Sequence, residues 1–182
     1  MSAAAANTDD RTILAALALA LVDQPRATLQ ELASAIGISK ATLYRFCQTR
    51  EQLIDRLSQH TTQAIGDAIH ETVLKDDPPN EVLSRLIARF LEHRELTAFL
   101  TYYCKETAGS CPVAVWSVDL DSFFLRGQKQ GAFCIDIAAA TLTEIFISIL
   151  VGLVDAERRG RVARSGLPAL IETVFLRSAA AV

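Results

Sequence analysis

Little in this 182-residue chain interrupts a helix, for it holds only 5 prolines and 8 glycines. With 51% of its residues apolar, that scarcity excludes extensive disorder and leaves enough material for a real core. No stretch alternates apolar and polar residues with the period of a strand, and no internal repeat stands out, so the fold class is all-α. The four cysteines, Cys47, Cys104, Cys111 and Cys134, form no CxxC pair and no cluster with histidine, which argues against a metal site or a disulfide framework. A glycine-rich phosphate loop is missing as well. His60, His70 and His93 are too widely spaced for a catalytic set, and no nucleophile has a base beside it, so no cofactor is expected and a small all-α enzyme is the weaker reading. The opening MSAAAANTDD lacks the basic region and apolar run of a signal peptide. Residues 137–154 come nearest to a membrane span, but Glu144 and Thr143 sit near their middle, where an unpaired carboxylate in lipid is costly. The segment reads as a buried or interface helix of a cytoplasmic protein without a membrane partner.

The formal charge of −3 gives no general attraction to a polyanion. Locally the balance reverses: between Gln24 and Arg50 stand Arg26, Lys40, Arg45 and Arg50 against the single acid Glu31. This basic stretch contains TLQELASAIGISKATLYRFCQTREQL, two short helices about a glycine. Thr28 with Glu31 makes a capping box, Leu29, Leu32, Ala33 and Ile36 face inward, and Gly37 sits where the chain must turn, with positive φ. Ser39 caps the second helix, whose buried positions are Ile38, Thr42 or Leu43, and Phe46, and Thr49 with Gln52 caps a longer helix to about Leu74. Such a pair holds its second helix at a fixed angle suited to the major groove of double-stranded DNA. Ser39, Lys40, Thr42, Tyr44 and Arg45 then lie on and around the reading helix, where Lys40 and Arg45 can meet phosphate or guanine and Thr42 a thymine methyl. Thr28 and Arg50 stand at first helical turns that favour a phosphate oxygen, and Arg26 lies just upstream.

These residues resemble the head of the TetR family of bacterial transcriptional repressors, whose pattern is T-x-x-x-I-A-x-x-A-G-V-S-x-x-T-L-Y-x-x-F-x-x-K-x-x-L. Thr28, Leu32, Ala33, Ile36, Gly37, Ile38, Ser39, Thr42, Leu43, Tyr44, Arg50 and Leu53 match it in order with conservative exchanges. The resemblance implies phosphate contacts at Thr28, Tyr44 and Arg50, with bases faced by residues between Ser39 and Arg45. Cys47 stands where the family has Phe, Gln48 replaces a common Pro, and an aromatic falls one place early, at Phe46. Further likeness in RATLQELA, SKATLYRFCQTR, HRELTAFL, DSFFLRGQKQGAF and VGLVDAERRGR is to members that repress multidrug efflux operons, and implies a dimer on a palindromic operator.

The division expected is a DNA-binding head over 1–49 and a helical effector-binding and dimerisation body over 50–182. The first ten residues are expected to fray, with Asp9 or Asp10 capping a helix from Arg11 to Val22, and later helices span about 80–94, 95–107, 112–130, 135–159 and 167–180. His93, Phe99, Tyr103, Glu106, Trp116 and Phe123 combine aromatic area with a few polar groups, the mix that suits an aromatic or amphipathic small-molecule effector, although core packing explains the same residues. The helix from Ile135 is apolar nearly all round. Ile145, Ile149, Gly152 and Leu153, with Leu170, Val174 and Phe175, are therefore expected to meet a second copy in a four-helix homodimer interface, closed by the polar run DAERRGR. A helical protein-interaction module, or a redox sensor using Cys104 and Cys111, remains the alternative.

Overall fold

The computed structural model describes residues 3–74, 77–103 and 113–180. Glu106, Cys104 and Cys111 lie outside the described residues. Among the described residues the chain is helical, as α1 (Ala3–Asp23), α2 (Leu29–Ala35), α3 (Lys40–Phe46), α4 (Arg50–Val73), α5 (Pro79–Glu92), α6 (Arg94–Tyr103), α7 (Val113–Lys129), α8 (Ala139–Arg158) and α9 (Leu167–Ala179). Helix α1 begins earlier than its sequence suggests. The alanine run at 3–6 has the strongest intrinsic preference for helix, so Asp9 and Asp10 fall inside α1 rather than capping it.

One continuous core joins the small helices to the large ones. Leu14, Leu17, Ala18 and Leu21 of α1, Leu32 and Ala33 of α2, and Leu43 and Phe46 of α3 are buried together with Leu53 and Leu57 from the start of α4. Helix α1 lies along α6, so it serves the head and the body at once. Further along α4, Thr61, Ile65, Ile69 and Val73 continue the buried stripe against α5 and α7. The far end of the body is an aromatic cluster. Phe124 stands 4.9 Å from Phe123, 5.3 Å from Phe133, 5.9 Å from Phe146 and 5.4 Å from Phe175, ring centre to ring centre.

Phe133 also explains why α8 starts at Ala139 and not near Ile135. The ring fills the space over Gly127, where an added Cβ would come within 2.4 Å of it, and Phe133 forms an isolated bridge with Ala180. The Cys134 amide donates to the Ala179 carbonyl (2.8 Å), and the Gln128 side chain donates to the carbonyls of Cys134 (2.6 Å) and Ile137 (2.7 Å). With these groups committed elsewhere, the helix cannot begin before 138.

The fourth helix illustrates how local chemistry sets a boundary. Thr49 accepts from the Gln52 amide (3.2 Å) while the Gln52 side chain accepts from the Thr49 amide (3.3 Å). Thr49→Ala removes this cap and is expected to cost about 1 kcal/mol of stability, read as a lowered midpoint in urea with an unchanged slope.

Candidate nucleic-acid interface

Helices α2 and α3 are fixed by their ends. Gly37 has φ of 73°, and the amides of Gly37 and Ile38 close back on the carbonyls of Ser34 (3.2 Å) and Ala33 (3.0 Å). A side chain at Gly37 would meet no neighbour but would have to adopt a left-handed backbone, so the glycine is there for its conformation. Ser39 accepts from the Thr42 amide (3.0 Å), and the two hydroxyls lie 2.9 Å apart. The reading helix thus carries its own start signal.

Burial of Leu43 and Phe46 turns the opposite edge of α3 outward. Lys40, Tyr44 and Arg45 are exposed there, with Tyr44 at 42% and the Lys40 ammonium 5.4 Å from the Tyr44 ring centre. Thr42 is half-buried and already engaged with Ser39. Phe46 is covered by the guanidinium of Arg56, which stacks 4.9 Å from its ring and donates to its backbone carbonyl (3.1 Å). Cys47 lies buried beside it, and burial pushes its thiol above the usual cysteine range. Phe46 under Arg56 accordingly takes the packing role at this junction, and Cys47 is poorly suited to redox chemistry.

The two helix-start residues occupy different settings. The Thr28 amide donates to the Glu31 carboxylate (2.7 Å), as does its hydroxyl (2.8 Å), and these bonds hold the Glu31 carboxyl below its ordinary range. A phosphate reaching the Thr28 amide must displace that carboxylate. Arg50 points inward: its guanidinium donates to the carbonyls of Ala27 (2.9 Å) and Pro25 and to the Tyr103 hydroxyl (3.2 Å). It therefore ties the α1–α2 loop to the end of α6. Nothing in local sequence marks this role, because its partners are remote along the chain. A second tie runs from α8, where Arg158 donates to Asp23 (2.9 Å) and Asp155 (3.2 Å) with its guanidinium 5.6 Å from the Tyr102 ring. The run DAERRGR thus braces the end of α1 instead of closing a subunit interface.

Within the body, Phe99, Trp116 and Phe123 are fully packed, Phe99 stacking on Tyr103 at 4.8 Å. The Trp116 indole nitrogen and the Thr61 hydroxyl are buried without a hydrogen-bond partner among the described residues. His93 faces a different space, an open cavity beside α1 and α4. On the outer side of α8 and α9, Ile145, Ile149 and Leu153 are half-buried, Gly152 is exposed, and Leu170 and Val174 are 38% and 39% exposed. Phe175, grouped with these from the sequence, turns the opposite way into the aromatic cluster. Helix α8 is long and apolar enough to cross a membrane, yet it packs along α7 and α9 with Leu142, Phe146 and Leu150 buried.

No protein-family model matches the chain. It is 45% identical over 175 residues to the HTH-type transcriptional regulator NfxB of Pseudomonas aeruginosa, covering 93% of this chain and 94% of that protein. Among solved structures, the TetR family regulator PfmR of Thermus thermophilus superposes with a TM-score of 0.69 at 19% identity, over 90% of this chain and 94% of the other. The TetR-like regulator LfrR of Mycobacterium smegmatis, solved with proflavine, also gives 0.69 at 21% identity, over 92% and 96%.

Proposed function

Because the chain belongs to the TetR family of transcriptional regulators, we propose that it represses transcription as a cytoplasmic homodimer, setting α3 of each subunit into the major groove of a palindromic operator and releasing it in response to a ligand. The family is one of DNA-binding proteins without catalytic function. In this reading residues 1–49 act as the head and 50–182 as the body, and the genes controlled include those of a multidrug efflux pump. The observation that carries it is the capped helix pair about Gly37, with Lys40, Tyr44 and Arg45 on one exposed edge. Ser39 and Thr42 complete the reading edge, and Thr28 contributes at the start of α2 where Glu31 can be displaced. Arg50 serves here as the strut under that loop, a position that lets events in the body reach the DNA.

The subunits are taken to meet through Ile145, Ile149, Gly152, Leu153, Leu170 and Val174, whose small and apolar side chains leave α8 and α9 an uncovered face. The effector reading rests on the unpartnered Trp116 indole and Thr61 hydroxyl, since buried polar atoms without partners are rare unless a ligand or water completes them. Phe99, Tyr103 and Phe123 would supply its aromatic walls. A footprint of the purified protein on DNA flanking its own gene tests the whole: two protected half-sites centred about one helical turn or more apart are expected. Protection absent throughout, or confined to a single half-site, counts against the reading.

A further inference from the structure

The cavity that His93 enters lies outside the aromatic core. It measures about 500 Å³ and opens between α1, the first half of α4 and the corner where α5 meets α6. Four cation-forming side chains line it: Arg11 from α1, Arg56 and His60 one turn apart on α4, and His93 at the end of α5. We propose that this cavity binds a small anion carrying a phosphate or carboxylate group, held by Arg11, Arg56, His60 and His93.

Carboxylates also line the space, so the sign of the field has to be settled position by position. Glu92 is engaged by Arg89 (2.9 Å) and Asp67 accepts from Gln63 (2.7 Å), which removes much of their demand for another cation. Glu71 sits further along α4, and Asp10 and Glu95 border Arg11 and His93. At His60 the charges that matter are all positive. Burial is the first cause holding His60 below the usual histidine range, followed by Arg11, His93 and Arg56. For His93 burial again comes first, with Glu92 and Glu95 opposing Arg89 and Arg11. A concave site with clustered cations and no anion among them at its His60 end is the arrangement that recognises phosphate or carboxylate oxygens.

Arg56 gives the site a route to the DNA surface. Its guanidinium lines the cavity while also donating to the Phe46 carbonyl at the end of α3 (3.1 Å), so an anion competing for it acts on the last turn of the reading helix. The site does not depend on the aromatic effector reading, because it shares none of the unpartnered atoms that reading uses.

The test is a titration of the full-length protein with inorganic phosphate at constant ionic strength, following the imidazole resonances of its three histidines. His70, bonded to Asp119 at 3.0 Å and outside the cavity lining, is the internal control. Saturable shifts at His60 and His93 with His70 unmoved are expected, together with a rise of about one pH unit in the His60 midpoint as the bound anion offsets its positive neighbours. Arg11→Gln, a change at an exposed position on α1, should abolish saturation, and Arg56→Gln should do the same. Drift shared by all three histidines, or saturation that survives Arg11→Gln, overturns the proposal.

Discussion

Lys40→Ala combined with Tyr44→Ala is expected to abolish specific operator binding while leaving the helical content and the oligomeric state unchanged. Both side chains lie on the exposed edge of α3, and neither belongs to the core that holds the helix in place. Each contact to a base or phosphate contributes about 1–3 kcal/mol, so losing two corresponds to roughly 30-fold to 10⁴-fold in affinity. Fluorescence anisotropy on an operator duplex, repeated at several salt concentrations, separates the components. Loss of a phosphate contact flattens the salt dependence, whereas loss of a base contact mainly erases the preference over random duplex. Affinity within a few-fold of the parent would place the reading surface elsewhere.

A second large effect is expected from Ile149→Asp with Val174→Asp. In a two-fold dimer these changes set four carboxylates into an apolar seam, where desolvation without a partner outweighs what the remaining contacts contribute. The protein should sediment as a monomer, and operator affinity should fall by about 10² or more because the two half-sites no longer reinforce one another. Val174→Asp alone is the control for folding, as that position is 39% exposed in the subunit. A variant that remains dimeric would move the interface off the outer side of α8 and α9.

The head could be read from sequence because its determinants are local. A threonine three residues before a glutamate, a serine three before a threonine, and a glycine between two short apolar patterns each specify a bond or a dihedral within one turn. The body was less legible, since helical spacing shows which residues share a side but not what that side meets. Phe175 fits an outward stripe and an inward one equally well by spacing, and only its contact with Phe124, Phe133 and Phe146 decides. Phe99, Trp116 and Phe123 suit a ligand wall and a packed interior alike, and they are packed. Arg50 is instructive in a different way. Its place at a first helical turn suggests a free cation, yet partners 23, 25 and 53 residues away claim it. Arg56 went unnoticed for a similar reason, since its hold on the Phe46 carbonyl crosses the junction between two helices.

Helix α1 runs along α6 while its buried leucines also close the back of α2 and α3. The boundary near residue 49 is therefore one of task, not of folding autonomy. A fragment ending there would expose the side of α1 that α6 covers and forfeit the Arg158 brace on Asp23. Grafting this reading unit onto a foreign regulator would accordingly demand a matching α6 surface in the recipient. Inheritance by cassette exchange is disfavoured, and new operator preferences in such proteins are more readily reached by point changes along the outward edge of α3.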